Sequence, residues 1–435
     1  VLVLVFMPVI GLVFYIFFGR THRRDQIISR RSYSKLLKRP EEEYRSQQDA
    51  ELPADYEGLI SLFQHSNHAF PYANNQTQLF TTGAEWVEAL LRELQKAKDH
   101  IHLQSYIFAD DEVGSRVRDV LVAKAREGVA VRVIHDDVGS WQTSKAFFDV
   151  MMEAGIEVRS FLKVRFPLFT NKANYRNHRK LVVIDGQIGF IGGMNIADRY
   201  VQGVSWGIWR DTHMMIKGKA VYGLQTAFLL DWYFADRTLL TSARYFPMID
   251  IVGSSIIQIV TSSPIQPGHE IVMGLMKAIS NAKTYFYIQT PYFLPTEAML
   301  NALQTAAMAG VDVRLMLPEK ADSKVIQWGS MSYLADVLKF GVKIYLYQKG
   351  FLHSKLMVSD DYLTTIGSTN MDFRSFEHNF EANAFIYDEQ VAIEAREIFL
   401  NDQRDCKQIT LKQWEKRPRK NKVIESFIRL MSPLL

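Results

Sequence analysis

A motif that occurs twice, with its polar residues at the same spacing, constrains the fold of this sequence more than any other feature. Residues 177–195 read NHRKLVVIDGQIGFIGGMN, and residues 352–370 read LHSKLMVSDDYLTTIGSTN. A histidine, a lysine, an aspartate, a glycine and an asparagine match in register, and ordinary residue frequencies do not produce two such segments by chance. The chain therefore contains an internal repeat, and both halves are expected to build the same structural unit.

Shorter similarities around the motifs predict the architecture of each unit. The segments HLQSYIF (102–108) and YIQTPYF (287–293) are strand-like, and each follows a segment with helical periodicity. A further pair of strand-like runs, 129–134 and 311–316, lies after the next helical stretch. Strands that alternate with helices are typical of α/β domains with a mixed or parallel sheet. We predict one such domain over residues 55–245 and a second over residues 246–412.

The N-terminal residues predict a membrane anchor. Residues 1–19 contain no charged side chain and are dominated by Val, Leu, Ile and Phe. As a helix they span about 28 Å, close to the roughly 30 Å hydrocarbon core of a bilayer. Eight basic residues follow between Arg20 and Arg39, with Asp25 the only acid among them. By the positive-inside rule, the basic juxtamembrane linker, residues 20–54, and the domains after it are expected on the cytoplasmic side.

The C-terminal residues 413–435 predict a second contact with the membrane. A basic stretch from Lys416 to Lys422 precedes Val423, Ile424, Phe427, Ile428 and Met431, which recur at helical spacing. This pattern favours an amphipathic helix that lies on the bilayer. Packing of the same apolar face against the protein body is an equal alternative.

Composition excludes several classes of protein. Hydrophobic residues make up 48% and charged residues 23% of the chain, which excludes a disordered or collagen-like protein. The net charge of +4 is too small to indicate a nucleic acid partner. The single cysteine, Cys406, cannot form an internal disulfide, so the fold does not depend on an oxidising compartment.

The histidines, lysines and asparagines of the two motifs suit phosphodiester chemistry. In an extended segment His178 and Lys180 point to one side, as do His353 and Lys355. One neutral imidazole can attack phosphorus while a protonated one donates to the leaving oxygen, and ammonium and amide groups stabilise the negative charge. The candidate catalytic residues are His178, Lys180, Asn195, His353, Lys355 and Asn370.

A carboxylate follows each motif on a strand-like segment. Asp211 lies in WRDTHMMI and Glu381 in NFEANAFI. A carboxylate bonded to one ring nitrogen of a histidine fixes the tautomer and leaves the other nitrogen for phosphorus. We predict this orienting role for both residues.

These residues form the HxKxxxxD…GSxN signature, and over residues 55–400 the chain resembles the phospholipase D superfamily. The resemblance implies two tandem α/β/α sandwich domains with one shared active site, no metal or other cofactor, and a covalent phosphohistidine. It implies that His178 is the nucleophile and His353 the general acid and then base, an order that could be reversed. It also implies structural roles for four motif residues: Asp185, Asp360, Gly193 and Ser368. Gly193 departs from the signature, since Ser368 occupies that position in the second copy.

Within the superfamily, the chain resembles the bacterial cardiolipin synthases. The resemblance rests on FFGR at residues 17–20, NMDFRSF at 370–376 and RLMSPLL at 429–435. It implies transfer of a phosphatidyl group between two phosphatidylglycerol molecules at the cytoplasmic membrane, with anionic lipids as partners. By its charge, Arg374 is a candidate contact for a lipid phosphate, and pairing with a local acid is the alternative. Such enzymes carry two N-terminal membrane segments, so this sequence is expected to contain the second one only. The sequence leaves a homo-oligomer open.

Several alternatives use the same residues or compete with them. A phospholipid hydrolase, or another phosphatidyltransferase such as a phosphatidylserine synthase, would need the same two motifs. A nuclease would have no use for a membrane anchor, and an inactive membrane scaffold would not need intact motifs. A metal-dependent hydrolase around His135, Asp136 and Asp137 is disfavoured because adjacent residues on a strand cannot all face one ion.

Overall fold

The computed structural model describes residue 9 and residues 29–46, 52–163, 175–250, 252–265 and 268–432. The predicted transmembrane helix, residues 1–19, lies outside the described residues apart from Val9. Among the helices that the structure does describe, none has the length and apolar composition needed to cross a membrane. The membrane anchor therefore stays a prediction.

Helices and strands alternate through both halves of the chain. In the first half they are α1 (Arg30–Arg45), α2 (Glu57–Asn67), β1 (Tyr72–Phe80), α3 (Gly83–Gln95), β2 (His100–Ser105), α4 (Glu112–Arg126), β3 (Ala130–Asp136), α5 (Lys145–Glu153), β4 (Glu157–Phe161), β5 (Arg176–Asn177), β6 (Leu181–Ile184), β7 (Ile188–Gly192), α6 (Arg199–Gln202), β8 (Ile208–Arg210), β9 (His213–Lys217) and α7 (Val221–Asp236). In the second half they are β10 (Ser255–Ser262), α8 (Glu270–Asn281), β11 (Tyr285–Gln289), β12 (Phe293–Leu294), α9 (Glu297–Met308), β13 (Asp312–Pro318), α10 (Lys324–Ser332), α11 (Leu334–Leu338), β14 (Lys343–Tyr347), β15 (Gly350–Leu352), β16 (Leu356–Ser359), β17 (Leu363–Gly367), β18 (Met371–Asp372), α12 (Phe373–Glu377), β19 (Asn379–Tyr387), α13 (Glu389–Gln403), β20 (Cys406–Ile409), α14 (Leu411–Glu415) and α15 (Arg419–Leu430).

Local sequence explains where these elements begin and which faces they bury. Helix α3 begins after Thr82, whose side chain accepts a hydrogen bond from the Glu85 backbone N–H. Trp86, Leu90 and Leu94 recur at helical spacing in α3, and all three are buried. In contrast, every residue of β2 is buried. Such burial on both faces is expected of a central strand that helices cover on both sides.

Sixteen of the twenty described strands form one continuous sheet, and the other four form the two-stranded sheets β12-β18 and β15-β8. The order of the continuous sheet is β20-β14-β13-β11-β16-β17-β19-β10-β1-β9-β7-β6-β2-β3-β4, with β5 paired to β19 off this path. Each half contributes seven of these strands in the same arrangement. Counted outwards from the centre, the order is β1-β9-β7-β6-β2-β3-β4 in the first half and β10-β19-β17-β16-β11-β13-β14 in the second. The antiparallel pair β1 and β10 joins the halves, with Tyr72 opposite Ile257 and Asn75 opposite Ser255. The two predicted α/β units are therefore confirmed, but they share one sheet. Their exact boundaries stay a prediction.

Helices cover both faces of the sheet and complete three layers. On one face, a single core cluster contains buried residues of α7 and α13 together with strand residues of both halves. On the opposite face the core is divided, with one cluster beneath α3, α4 and α5 and another beneath α2, α8 and α9. A core that crosses the central strands holds the two halves, and hence their motifs, in a fixed relation.

Part of the predicted basic linker is a helix that packs on the protein body. In α1, Leu36 is buried and the Pro40 carbonyl accepts a hydrogen bond of 2.9 Å from the Tyr72 hydroxyl. Glu43 of α1 also pairs with Lys219 at 3.3 Å. These contacts tie residues 30–45 to the first domain.

The C-terminal helix α15 packs against the protein body, although part of its predicted apolar face stays exposed. Arg429 pairs with Asp336 at 2.7 Å, and the buried carboxylate of Glu425 accepts hydrogen bonds from Arg417. By contrast, Val423 and Phe427 remain exposed. The helix therefore packs against the body through part of its surface, and its association with a membrane stays a prediction.

Candidate active site

Each motif histidine is held by the main chain of the opposite half. His178 follows β5, which pairs in parallel with β19, and its N–H donates a 2.9 Å hydrogen bond to the Phe380 carbonyl. His353 follows β15, which pairs in parallel with β8, and its N–H donates a 2.7 Å hydrogen bond to the Arg210 carbonyl. The two motifs are thus interleaved across the boundary between the repeats.

The interleaving opens one cleft between the halves, with a volume of about 720 Å³. Both motif histidines and both motif asparagines line it, so residues 175 positions apart meet in one space. Further lining side chains are Tyr106, Arg176, Arg199, Trp209, Tyr292 and Arg374. The prediction of a single shared site agrees with this geometry.

His178 is oriented by a carboxylate from the second half. Its Nδ1 lies 3.1 and 3.2 Å from the two carboxylate oxygens of Glu381, which is fully buried in β19. Glu381 also accepts hydrogen bonds from the Ser368 hydroxyl and, at 3.1 Å, from the Asn379 amide. The negative charge of Glu381 is therefore shared among three donors.

His353 is oriented by a carboxylate from the first half. Its Nδ1 lies 2.6 Å from Oδ2 of Asp211, which is also fully buried. The other oxygen of Asp211 accepts a 2.7 Å hydrogen bond from the Thr212 backbone N–H. The orienting carboxylates are thus crossed between the repeats, whereas their positions in the sequence do not indicate which histidine each one serves.

Gly193, which departs from the signature, explains why Asp211 and Glu381 have different hydrogen-bond partners. A Cβ atom on Gly193 would lie 2.1 Å from Oδ1 of Asp211, so the carboxylate occupies the space of a side chain. At the matching position in the second half, Ser368 instead donates a hydrogen bond to Glu381. Because position 193 has no hydroxyl, the Asp211 carboxylate accepts its hydrogen bonds from Thr212 and His353 among the described residues.

Positive charges in the site keep both carboxylates ionised. Burial opposes ionisation of Asp211, but Lys355 and His353 outweigh it and lower the pKa of Asp211. Burial likewise opposes ionisation of Glu381, but His178 and Lys180 lower its pKa. Since each Nδ1 faces a carboxylate, it carries the hydrogen, and Nε2 presents a lone pair.

Burial and a neighbouring ammonium group lower the pKa of each motif histidine. Burial lowers the pKa of His178 below its ordinary value, and Lys180 adds to this effect against the opposing charge of Glu381. Burial and the nearby ammonium of Lys355 lower the pKa of His353 to about 3. Both imidazoles of the free site are therefore neutral near pH 7.

The motif lysines lie beside the histidines, buried in the protein. Lys180 and Lys355 each donate a hydrogen bond from Nζ to the carbonyl of the histidine in their own motif. His178 and Lys180 both contact the Tyr106 ring, whereas Arg179 turns away to Asp231. This is the alternation that an extended segment predicts.

Burial makes both ammonium groups easier to deprotonate. It lowers the pKa of Lys355 to about 8 and the pKa of Lys180 well below its ordinary value. The charge of Lys355 lowers the pKa of Lys180 further, whereas the carboxylates of Glu381 and Asp211 act against the lowering at both lysines. Two cations held in so little water are a strong attraction for an anionic phosphodiester.

The motif asparagines line the cleft and are held by local hydrogen bonds. Asn195 accepts a 3.0 Å hydrogen bond from the Ile107 backbone N–H and donates its amide to the Tyr200 hydroxyl oxygen. Asn370 is held through its backbone N–H, which donates to the Ser375 hydroxyl at 3.3 Å. The Oδ1 atom of Asn370 has no hydrogen-bond partner among the described residues.

The motif aspartates lie away from the cleft and support the sheet. Asp185 accepts hydrogen bonds of 2.8 to 2.9 Å from the backbone N–H groups of residues 98–100, where β2 begins. Asp360 accepts the matching three bonds from residues 283–285, where β11 begins. These contacts are with backbone only, as the resemblance implies for residues with a structural role.

Some cleft residues were not singled out by the sequence. Tyr106 directly follows β2, and Trp209 lies in β8, where its ring centroid is 5.3 Å from that of His353. Position at the carboxyl end of a strand could have indicated Tyr106, because such ends gather at one edge of a sheet. No local signal marks Trp209.

The residues of the metal-site alternative do not converge. His135 stacks on Phe148 with ring centroids 4.2 Å apart, whereas Asp136 lies 3.5 Å from Arg176 and Asp137 accepts a hydrogen bond from Ser160. Within the described part of the chain, no group of three or more His, Cys, Asp or Glu side chains is placed to hold a metal ion.

Comparisons with known proteins match both segments that contain the motifs. A family model described as "Cardiolipin synthase, PLD-like domain" matches residues 90–224 and 275–403, and each matched segment contains one motif. The major cardiolipin synthase ClsA of Bacillus subtilis (strain 168) is 40% identical over 445 residues, covering 100% of this chain and 92% of that protein. A cardiolipin synthase of Geobacillus kaustophilus (strain HTA426) is 40% identical over 435 residues, covering 98% of this chain and 86% of that protein.

Solved structures share the fold at low sequence identity. The phosphatidylserine synthase of Haemophilus influenzae Rd KW20 superposes with a TM-score of 0.68 at 14% identity, covering 87% of this chain and 100% of that one. The polyphosphate kinase of Porphyromonas gingivalis superposes with a TM-score of 0.54 at 14% identity, covering 83% of this chain and 54% of that one. At these identities the similarity concerns the fold alone.

Proposed function

This chain belongs to the family of PLD-like cardiolipin synthases, and from that premise we infer that it converts two molecules of phosphatidylglycerol into cardiolipin and glycerol. The observation that carries the mechanism is the crossed pair of carboxylates. Glu381 and Asp211 each hold the Nδ1 of one histidine, which leaves two Nε2 atoms to act in one cleft. Two imidazoles with fixed tautomers can share nucleophilic attack and proton transfer.

In the first step, Nε2 of His178 attacks the phosphorus of one phosphatidylglycerol. The new P–N bond forms as the bond from phosphorus to the headgroup glycerol breaks. His353, protonated in the substrate complex, gives its proton to the departing oxygen, and glycerol leaves. Lys180, Lys355 and the motif asparagines stabilise the negative charge on the pentavalent transition state.

In the second step, His353 acts as the base. It takes the proton from a glycerol hydroxyl of a second phosphatidylglycerol, and that oxygen attacks phosphorus. The P–N bond breaks, cardiolipin is released, and His178 is regenerated. Transfer prevails over hydrolysis when the acceptor is positioned and water is excluded.

The unequal surroundings of the histidines support this division of roles. Asp211 has no side-chain hydroxyl to satisfy, so its charge is available to an imidazolium at His353. Glu381 shares its charge with Ser368 and Asn379, which suits a histidine that must be neutral to attack. The bound phosphodiester offsets the lysine charges and thereby raises the pKa of His353 from its low value in the free site.

Substitution of Gly193 tests the importance of this asymmetry. We expect Gly193→Ser to lower kcat for cardiolipin formation by a factor on the order of 10 to 100, because its Cβ displaces Asp211 from His353. Ser368→Gly is the matched control, since it removes a hydroxyl from Glu381 without a steric conflict, and its effect should be smaller. The rates are measured with labelled phosphatidylglycerol. Full activity of Gly193→Ser would contradict the expected displacement.

The buried lysines predict an alkaline limit to activity. A lysine with a pKa of about 8 is charged below pH 8 and neutral above it, so the attraction for the anionic lipid is lost as pH rises through that value. Because the pKa of Lys180 is also lowered, we expect kcat/KM to fall from about pH 8 or below, since kcat/KM reports the free enzyme. A pH profile of initial rates checks this. In Lys355→Arg, provided it retains activity at pH 7, the limb assigned to Lys355 should disappear. A profile that stays flat to pH 10 in the wild type would exclude the assignment.

The function itself is tested by product analysis. The protein in phosphatidylglycerol vesicles should form cardiolipin and glycerol in equal amounts. Phosphatidic acid as the main product would instead indicate a hydrolase. Formation of phosphatidylserine from serine and an activated lipid would indicate a different phosphatidyltransferase. No lipid turnover under any of these conditions would overturn the proposal.

We also propose that the protein is anchored in the cell membrane with its domains on the cytoplasmic side. The support is the apolar composition of residues 1–19 and the basic residues that follow. Because α1 packs on the first domain, an anchor before residue 20 would keep the body close to the bilayer. We further assign Arg374 to the phosphate of a lipid substrate, because this basic residue lines the cleft.

A further inference from the structure

The proposed reaction brings two phosphate groups into the cleft, although only one of them reacts. The acceptor phosphatidylglycerol carries its own phosphodiester, joined through a single glycerol to the hydroxyl that attacks. That second phosphate must therefore lie close to the reacting phosphorus when the new bond forms. Its negative charge needs a cation that the catalytic lysines, engaged with the first phosphate, do not supply.

Two arginines of the cleft occupy equivalent positions in the repeat. Arg199 follows Asn195 by four positions, and Arg374 follows Asn370 by four positions. Both side chains line the cleft. The duplication therefore places one arginine from each repeat in the site, and the surroundings of each indicate which histidine it accompanies.

Arg199 lies on the side of His353. Its guanidinium is 5.7 Å from the ring centroid of Trp209, and the Trp209 ring lies 5.3 Å from that of His353. The side chain is exposed, and no ion pair joins it to a carboxylate of the described residues. A guanidinium held over an aromatic ring can still direct the N–H donors in its own plane toward an anion, which suits bidentate binding of phosphate.

Arg374 lies on the side of His178. Burial raises the pKa of Tyr106, and the nearby charge of Arg374 lowers it in part. The Tyr106 ring is 5.2 Å from that of His178. The buried Arg176, which lies 3.5 Å from Asp136, also lowers the pKa of Tyr106. Two arginines therefore lie on the side of the histidine that forms the covalent intermediate in the proposed mechanism.

The division of roles between the histidines assigns a different lipid to each arginine. His353 protonates the departing glycerol and later deprotonates the attacking one, so both glycerol groups lie beside His353. In the first step that position holds a neutral headgroup. In the second step it holds a glycerol that continues into a phosphate, and Arg199 is the arginine on that side.

We propose that Arg199 binds the unreactive phosphate of the acceptor lipid and thereby selects an anionic glycerophospholipid over free glycerol or water as the acceptor. The inference rests on the proposed function, because it requires a covalent intermediate that one of several acceptors can discharge. Arg199 has no part in forming that intermediate. Removal of its charge should therefore change which acceptor is used, and leave the first step unaffected.

The experiment compares two reactions of the same intermediate. Full-length protein in phosphatidylglycerol vesicles is given labelled glycerol, and both cardiolipin and labelled phosphatidylglycerol are measured. Glycerol exchange needs the donor and a neutral acceptor, whereas cardiolipin formation needs an anionic acceptor. Arg199→Gln should lower cardiolipin formation by about 10- to 100-fold, a loss typical of a charged hydrogen-bonding partner. Glycerol exchange should stay within about twofold of the wild type, which also shows that the variant is folded.

Matched variants show whether the effect belongs to this side of the cleft. Arg374→Gln should lower both reactions together, because it removes a contact to the donor lipid. Arg199→Lys should recover part of the preference for the lipid acceptor, since it restores a charge without the planar fork. Arg116→Gln, an exposed arginine paired with Glu88 on the protein surface, should change neither reaction.

A soluble acceptor separates the phosphate contact from contacts to the acyl chains. Glycerophosphoglycerol, the deacylated form of phosphatidylglycerol, should compete with glycerol better in the wild type than in Arg199→Gln. Equal loss of both reactions in Arg199→Gln, or a selective loss in Arg374→Gln, would overturn the inference. A wild type that releases phosphatidic acid and makes no cardiolipin would instead overturn the proposed function.

Discussion

Replacement of His178 with alanine should abolish cardiolipin formation, with a loss on the order of 10⁴-fold or more. The variant lacks the imidazole that accepts the phosphatidyl group, and the remaining cations of the cleft can bind the lipid but cannot form the intermediate. The measurement is separation of labelled lipid products, together with detection of labelled phosphate on protein denatured at alkaline pH, where the P–N bond survives. Because His178 makes its side-chain contacts with Glu381 and Tyr106, thermal unfolding of the variant serves as the control for folding.

His353→Ala distinguishes the two histidines. Its loss of cardiolipin formation should be similar, but a donor with a readily expelled leaving group should still label His178, since that group needs no proton. The label should then accumulate, because the second step lacks its base. Labelling of His353 in the His178→Ala protein would show that the roles are reversed.

Asp211→Asn should lower kcat by a factor on the order of 10² to 10⁴, with little change in the amount of folded protein. The amide has nearly the shape of the carboxylate but no charge, so it stabilises neither the correct tautomer of His353 nor its protonated form. The 2.6 Å contact between His353 and Asp211, and the absence of a hydroxyl at Gly193, leave His353 as the side chain that donates a hydrogen bond to this carboxylate among the described residues. Initial rates at saturating phosphatidylglycerol provide the measurement.

Glu381→Gln is the matched comparison. We expect a smaller loss, of about 10-fold, because Glu381 divides its charge among three donors and because His178 acts as a neutral nucleophile. A larger loss in Glu381→Gln than in Asp211→Asn would contradict the proposed assignment of the acid and base to His353.

Much of the fold could be predicted from local sequence. Alternating apolar strands and helices indicate α/β units, and the duplicated motif indicates that there are two of them. Such predictions succeed because side-chain periodicity and capping act within a few residues, as in α3 after Thr82. The continuous sheet could not be predicted in the same way. It depends on the pairing of β1 with β10, which are separated by most of the first domain.

The candidate site, like the fold, could be predicted only in part from local sequence. The histidines, lysines and asparagines could be predicted as site residues from local sequence, because their chemical types and spacing suit phosphodiester transfer whatever surrounds them. Their partners became evident only in the folded structure, in which Asp211 contacts His353, Glu381 contacts His178, and Arg199 lies beside Trp209. These contacts join residues far apart in the chain through strand pairs between the halves. Their geometry is set by the packing of the whole sheet, which no local pattern encodes.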